Sequence, residues 1–241
     1  MSESEARLPP WEHPPSDLSL VPGEVHAWLL TDEAMLSAAA RCDVLTQDEA
    51  DRAARLEGAR SRSFTATRVT LRILLSRYTG DPPEGIRFDY GPLGKPLLRS
   101  GDIQFSISHA GDRALLAFSR TAPVGIDVEH VRSTRRFDAL TARFLSPDNA
   151  RIVARATPSA LPRIFAEAWS QREAYVKAVG GGLYATPDVL PFLPGRVPVR
   201  ELLVEHDIWS VAVLDAGDEY EARLVTAARI AALRGYSTRS L

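Results

Sequence analysis

The stretch Val124–Glu129 reads VGIDVE and predicts a β-strand that carries two carboxylates. Side chains two residues apart on a strand point to the same face, so Asp127 and Glu129 should lie side by side. Two neighbouring carboxylates repel each other unless a cation or a proton lies between them, and hard oxygen ligands suit Mg²⁺. The alternative is an ordinary strand end with solvated acids, which this stretch alone does not exclude.

The second informative stretch, Trp169–Gly182, reads WSQREAYVKAVGGG and predicts the end of a helix. Trp169, Glu173 and Lys177 follow one another at intervals of four residues, so they lie along one helix face. A Glu–Lys pair at this spacing is usually a surface ion pair of small effect. If the face meets the strand with the two carboxylates, three acids surround a metal and the lysine reaches an anion bound to it. That is the outline of a site for phosphoryl transfer or phosphodiester cleavage.

Outward from these stretches, apolar periodicity and turn residues predict an α+β protein. The predicted strands are residues 25–30, 86–90, 103–108, 114–119, 124–129, 197–204, 209–214 and 220–226. The predicted helices are residues 46–57, 61–78, 136–145, 147–156 and 161–179. Gly111 and Asp112 join two of the strands as a β-hairpin.

The predicted order of elements begins again after Pro123, so we expect two similar α+β halves of ordinary domain size. Residues 1–22 contain five prolines and predict an extended arm on the surface. The N-terminal half then covers residues 23–122 and the C-terminal half residues 123–241.

Composition excludes several classes of protein. A net charge of −2 over 241 residues gives no electrostatic footprint for nucleic acid. Apolar runs are far shorter than the ~20 residues that cross a bilayer, and Met1–Leu8 does not resemble a signal peptide, so we expect a cytoplasmic protein without membrane contact. Cys42 is the only cysteine, which rules out an intrachain disulfide and a thiolate zinc site.

Lysine occurs at only two positions among 29 lysine and arginine residues. Lys95 lies in the tight loop Gly94–Pro96, which lacks the P-loop pattern, and Lys177 lies in the helix motif. Arginine and lysine differ in shape, so a position fitted to one need not accept the other. Both lysines are therefore candidate site residues.

Candidate phosphate contacts precede the carboxylate strand. Phe105–His109 reads FSISH, and its Ser108 and His109 either hydrogen-bond a phosphate or simply cap the hairpin. The predicted helix 61–78 carries Arg62 and Arg68, whose forked guanidinium groups suit a phosphate monoester but would be solvated on a plain surface helix.

The ordered pair of motifs, GxDxE in Gly125–Glu129 and WxxRExxxK in Trp169–Lys177, resembles the signature of the 4'-phosphopantetheinyl transferase superfamily. The SH and GKP segments described above are similar to further family segments in the expected order. The chain length resembles the monomeric Sfp-type, which implies two similar α+β subdomains related by a pseudo-twofold axis, with the active site at their interface.

The resemblance implies transfer of 4'-phosphopantetheine from coenzyme A to a serine of an apo acyl or peptidyl carrier protein, with release of 3',5'-ADP. It implies Mg²⁺, with Mn²⁺ as a substitute, held by Asp127, Glu129 and Glu173. Glu173 is also the expected general base, and Lys177 is expected to contact the pyrophosphate. The carrier protein is expected to dock against residues 136–156 and to belong to fatty acid, polyketide or non-ribosomal peptide biosynthesis.

The same resemblance puts Lys95 by the adenine and Ser108 with His109 near the 3'-phosphate. Ser63 stands where many relatives have an arginine for that phosphate. Arg62 or Arg68 is expected to substitute, and Arg68 is favoured because it forms an RxxxR pattern that some relatives share.

Two other functions remain open from the sequence. A metal-dependent phosphodiesterase would use the same carboxylates to activate water, although the chain lacks interleaved aromatic and basic residues for nucleic acid. A non-catalytic family member would bind carrier proteins or coenzyme A without turnover, and the intact carboxylates and Lys177 argue against it.

Overall fold

The computed structural model describes residues 11–132, 137–184, 186–195 and 199–238. The helices in these ranges are α1 (Asp32–Ala39), α2 (Gln47–Ala54), α3 (Gly58–Thr79), α4 (Phe137–Phe144), α5 (Pro147–Ala154) and α6 (Leu161–Val179). The strands are β1 (Glu24–Leu30), β2 (Phe88–Tyr90), β3 (Pro96–Leu98), β4 (Gln104–Ala110), β5 (Arg113–Ser119), β6 (Val124–His130), β7 (Val199–Val204), β8 (Asp207–Leu214), β9 (Tyr220–Thr226) and β10 (Ala232–Ser237). The α+β class predicted from the sequence is therefore confirmed.

The first sheet has the strand order β10-β1-β5-β4. Its strands β4 and β5 form the predicted hairpin, and β1 runs antiparallel to β5. Helix α3 covers this sheet, because Leu71, Leu74 and Leu75 are fully buried in one cluster with Trp28 and Phe118. Gly80, in the left-handed conformation, ends α3.

The second sheet is antiparallel with the order β6-β9-β8-β7. Helix α6 lies against β6 and β9, where Ala174 and Ala178 pack beside Val225. The two sheets share a pattern of strands. In each, the strand that comes first in sequence (β1 or β6) is followed by three helices and pairs with the second strand of a later hairpin (β4-β5 or β8-β9). The pseudo-twofold relation between the halves itself stays a prediction.

Strands β4 and β6 connect the two sheets. The amide of Ile126 donates a hydrogen bond to Ser106 Oγ at 3.1 Å, so a side chain of one sheet satisfies the backbone of the other. The GxDxE strand and the SH segment therefore lie side by side, although nearly 20 residues separate them in sequence.

Three of these helices and strands were missed by the sequence prediction, namely α1, β10 and the three-residue strand β3, which pairs with β2. Helix α1 is short, and β10 pairs in parallel with β1, about 200 residues earlier in the chain. Strand β10 thus joins the first sheet although it follows the second sheet in sequence. The predicted strand 197–204, helix 136–145 and arm 1–22 each begin outside the described residues.

Residues 11–22 of the predicted N-terminal arm are described, and Leu18 and Leu20 among them are buried in the core cluster of the first sheet. Trp11 Nε1 donates to the carbonyl of Asp215 at 2.5 Å, and Glu12 forms a parallel bridge with Tyr236 of β10. None of the described helices is both long and apolar enough to span a bilayer.

Candidate active site

The approach of α6 to β6 depends on Gly125. A Cβ atom at this position would lie 1.8 Å from the carbonyl oxygen of Ala174 and 2.5 Å from the amide nitrogen of Ala178. Only glycine lets a strand backbone and a helix backbone come this close. The glycine of the GxDxE motif therefore brings the acidic strand against the helix that carries Glu173 and Lys177.

Asp127 is the buried centre of this contact and is only 3% exposed. Its Oδ1 accepts hydrogen bonds from Lys177 Nζ at 2.6 Å and from Ser108 Oγ at 2.7 Å. Lys177 Nζ also donates to the carbonyl of Ile126 at 3.3 Å. Three segments that the sequence analysis singled out separately thus meet at one carboxylate.

Glu129 and Glu173 complete an acidic cluster around Asp127. Burial raises the pKa of Glu129 to about 7, with repulsion from Asp127 and Glu173 adding to the effect and Lys177 opposing it. Burial also raises the pKa of Glu173, again with repulsion from Asp127 and opposition from Lys177. These carboxylates repel one another within a partly desolvated site, so a cation between them would be strongly favoured.

The acidic cluster has the chemistry of a hard-cation site. Asp127 Oδ2 is buried, and no described residue gives it a hydrogen-bond partner. An unpartnered carboxylate oxygen beside two further carboxylates suits Mg²⁺. In the described ranges, however, no three His, Cys, Asp or Glu side chains are already arranged as a complete metal site.

A cleft of about 430 Å³ opens between the two halves next to this cluster. We call its two walls the α3 side, formed by α2, α3 and the loop 91–96, and the α6 side, formed by α6 and residues 180–183. Glu173 and Lys177 line the α6 side, and His109 lines the cleft from the end of β4. Burial lowers the pKa of His109, and the charge of Lys177 lowers it further.

Lys95 also lines the cleft, but its ammonium group is directed at backbone carbonyls. Nζ donates to the carbonyl of Lys177 at 2.5 Å, to that of Ala178 at 3.4 Å and to that of Val124 at 3.5 Å. A cation at the C-terminal end of a helix satisfies carbonyls that have no partner within the helix. Lys95 therefore ties the GKP loop to the end of α6 and the start of β6.

The structure distinguishes clearly between the two candidate arginines. Arg68 is buried, lines the cleft and packs over the ring of Phe88, with its carbon Cζ 5.1 Å from the ring centroid. Its Nη1 is buried without a hydrogen-bond partner in the described part of the chain. Arg62 is exposed and does not line the cleft. Ser63 is buried beside them in α3.

The RxxxR partner, Arg72, belongs to the scaffold. Its Nε donates to Glu49 Oε2 at 2.7 Å, and its Nη1 donates to the carbonyls of Pro83 and Ile86. Because Glu49 is paired with Arg72, its ion pair with Arg68 at 3.6 Å is secondary. Arg68 is thus the member of the pattern that retains free donor capacity toward the cleft.

Two further arginines near the site were not assigned roles from the sequence. Arg52 of α2 lines the cleft and lies over the ring of Phe64, and no local pattern marked it because its place depends on how α2 packs on α3. Arg172 is the arginine of the WxxRExxxK motif. It donates to the carbonyls of Phe144, Leu183 and Thr186, which joins α4 to the loop after α6.

Comparison with known proteins adds independent information. The sequence model of the 4'-phosphopantetheinyl transferase superfamily matches residues 123–225. The chain is 31% identical to the 4'-phosphopantetheinyl transferase HetI of a Nostoc species over 223 residues, which cover 90% of this chain and 93% of the relative. It is 33% identical to the transferase AcpT of Salmonella typhimurium over 159 residues, or 65% and 78% of the two chains. It is 29% identical to a 4'-phosphopantetheinyl transferase of Bacillus subtilis over 163 residues, or 66% and 71%.

Proposed function

Because this chain belongs to the 4'-phosphopantetheinyl transferase superfamily, we propose that it transfers phosphopantetheine from coenzyme A to a serine of an apo carrier protein. The observation that carries this proposal is the contact of α6 with β6, which joins Lys177 to Asp127 at 2.6 Å beside Glu129 and Glu173. This is a site for charge stabilisation at a pyrophosphate.

Coenzyme A binds in the cleft between the halves in this proposal. Lys177 contacts the pyrophosphate, since its ammonium group lies at the border between the cleft and the acidic cluster. Arg68 and His109 take the 3'-phosphate, with Ser108 orienting Asp127 through its hydrogen bond. Lys95 supports the α6 side of the cleft, because its ammonium group donates to a carbonyl at the end of α6. The adenine therefore lies against the backbone of the GKP loop and not against the Lys95 ammonium group.

The acidic cluster is the proposed binding site for Mg²⁺, or for Mn²⁺ in its place. Asp127, Glu129 and Glu173 would hold the cation, and the unpartnered Asp127 Oδ2 supports this assignment. Such a cation supplies neutralisation of the charge that develops on the pyrophosphate oxygens. Chelation should abolish transfer, and either cation should restore it.

Glu173 is the proposed general base. It lines the cleft one helical turn before Lys177, so its carboxylate lies beside the proposed position of the pyrophosphate, where the carrier serine must arrive. Glu173 takes the proton of the carrier serine as the serine oxygen attacks the β-phosphorus of coenzyme A. The bond from that phosphorus to the leaving oxygen breaks, and 3',5'-ADP departs.

We propose further that the protein works as a monomer, since one chain supplies both walls of the cleft. The proposed location is the cytoplasm. The matched relatives bear the names of transferases, and nothing among them favours a phosphodiesterase or a non-catalytic role.

The direct test is intact-mass measurement of purified apo carrier proteins of the fatty acid, polyketide and peptide classes after incubation with coenzyme A and Mg²⁺. At least one carrier should gain the mass of one phosphopantetheine, and its serine-to-alanine variant should not. Hydrolysis of coenzyme A without carrier modification would instead support the phosphodiesterase.

A further inference from the structure

A second cluster of charges lies between α6 and β9, outside the site described above, and three of its four members are buried. It consists of Arg163 and Glu167 on α6 and Glu221 and Arg223 on β9, and we call it the α6 anchor. Arg223 is fully buried, and its Nη1 donates to Glu221 Oε2 at 3.1 Å. Arg223 Nη2 lies 3.5 Å from Glu167 Oε2, and Arg163 forms an ion pair with Glu221.

Strand register links the α6 anchor to the acidic site. Arg223 is the cross-strand partner of Asp127, and Glu221 is the partner of Glu129. Paired residues of antiparallel strands project to the same face. The face of the sheet that meets α6 therefore has two neighbouring pairs of charges, of which the proposed chemistry uses only the pair on β6.

Helix α6 passes over the pair of charged residues on β6 and over the pair on β9. Glu173 and Lys177 lie over β6, whereas Arg163 and Glu167 lie over β9, one and a half turns or more toward the N-terminus. Where the helix meets Gly125 of β6, its contacts come from the backbone around Ala174 and Ala178. Alanine side chains allow this close approach but carry no polar group, so the directional contacts of α6 with β6 come from its C-terminal end at Lys177. The anchor adds directional contacts of α6 with β9.

Energetics argue that the anchor is not needed for stability alone. Burial raises the pKa of Glu167, which means that its ionised form is held in an unfavourable place and is balanced by the amide of Gly195 and by Arg223. Buried ion pairs are often no more stabilising than apolar residues of similar size. Such groups can instead specify one arrangement among several.

We infer that Glu167 and Arg223 are positioning residues that fix α6 on the second sheet and thereby hold Glu173 and Lys177 against Asp127. This inference rests on the proposed site. It assigns to the anchor no contact with coenzyme A or with the carrier, since neither residue lines the cleft.

The decisive variant is Glu167→Met/Arg223→Met, which replaces the central pair by apolar side chains of similar length. We expect a melting temperature that does not fall, because the desolvation cost of both charges disappears together. We expect kcat to fall roughly 10- to 100-fold, since misplacement by about 1 Å can cost that much. Affinity for coenzyme A without Mg²⁺, measured by calorimetry, should fall far less than kcat, because only the contact with Lys177 is disturbed and the α3 side of the cleft is untouched. The matched control is Glu201→Gln/Arg229→Gln, which removes an exposed ion pair of 3.1 Å and should change nothing.

A second variant keeps the inference testable if the double variant does not fold. Glu167→Gln preserves shape and an acceptor for the Gly195 amide and removes only the charge. It should lower kcat and raise the Mg²⁺ concentration needed for half-maximal rate, with a much smaller change in the KM for coenzyme A. If either variant folds and keeps the wild-type kcat, the positioning role is overturned. The proposed function still stands in that case, because the wild-type enzyme transfers phosphopantetheine. Absence of transfer by the wild-type enzyme would instead refute the proposed function.

Discussion

The two sides of the cleft are built in different ways. On the α6 side, functional groups come from two short motifs held together by a backbone contact at Gly125 and by the hydrogen bonds of Asp127. On the α3 side, groups such as Arg52 and Arg68 reach the cleft through packing between helices and aromatic rings.

The difference has a consequence for substitution. Side chains on the α6 side are held by contacts of less than 3 Å, so small changes there should disrupt the chemistry. The α3 side lines the cleft with several cations, so loss of one should weaken binding of the proposed ligand without stopping the reaction. The following predictions test this contrast in order of decreasing effect.

Replacing Asp127 by alanine should have the largest effect. The change removes the carboxylate that orders Lys177 and Ser108 and is expected to lower kcat by about 100- to 1,000-fold or more. Rates can be measured by intact mass of the carrier protein, with circular dichroism to verify the fold. Asp207→Ala, at an exposed position of β8, is the control. Near-normal turnover by folded Asp127→Ala protein would refute the assignment of the acidic site.

Gly125→Ala should separate the α6 contact from the charges themselves. The added Cβ would overlap the carbonyl of Ala174, so α6 must shift away from β6. We expect the free energy of unfolding to fall by about 1–3 kcal/mol and kcat to fall although every charged group remains. Gly91→Ala is the control, because Gly91 precedes the GKP loop, does not line the cleft, and its added Cβ would lie 3.7 Å from the nearest atom. Equal behaviour of the two variants in denaturation and kinetics would contradict the role given to Gly125.

On the α3 side, Arg68→Ala should reduce discrimination between coenzyme A and dephospho-coenzyme A. A charge-assisted hydrogen bond contributes about 1.5–3 kcal/mol, so the preference should fall roughly tenfold or more. Arg62→Ala should leave the preference for coenzyme A over dephospho-coenzyme A unchanged, because Arg62 is exposed and lies outside the cleft. Competition assays with both substrates measure the ratio. If the unmodified enzyme uses both substrates equally, recognition of the 3'-phosphate is absent.

The smallest effect concerns pH and Lys95. Burial lowers the pKa of Lys95 from 10.5 to about 8, so the unfolded chain binds this proton over a range in which the folded protein does not. The contribution of Lys95 to the free energy of unfolding should therefore rise with pH between about 8 and 10.5. Urea denaturation at several pH values should show that the free energy of unfolding rises less with pH for Lys95→Met than for the wild type. Parallel curves would mean that the three carbonyls keep Lys95 charged over this range.

The sequence was most informative where local spacing decides geometry. Spacing alone predicted the same-face positions of Asp127 and Glu129 and the shared helix face of Glu173 and Lys177. It left open whether the two faces meet, and the structure brings all four residues together. Strands β4 and β5 also agree closely with the predicted hairpin. These features depend on contacts within short segments or on fixed periodicities.

Features that depend on distant partners were harder to predict. The pairing of β10 with β1 leaves little local signal, because its sequence ALRGYS is short and contains glycine. The Lys95 contacts with α6 were likewise hidden, since they join residues more than 80 positions apart. Roles for Lys95, Ser108 and His109 in coenzyme A binding remain predictions that kinetic measurements must test.

The position of β10 has a consequence for synthesis on the ribosome. Strand β1 is made early and β10 late, yet they pair within the same sheet. Until residues 232–237 emerge, one edge of the nascent β1 lacks that partner, and Ala27, Trp28 and Leu30 of this strand belong to the buried core. An apolar edge of this kind attracts other chains. The edge of β1 is therefore open to pairing with other chains until residues 232–237 have been synthesised and complete the first sheet.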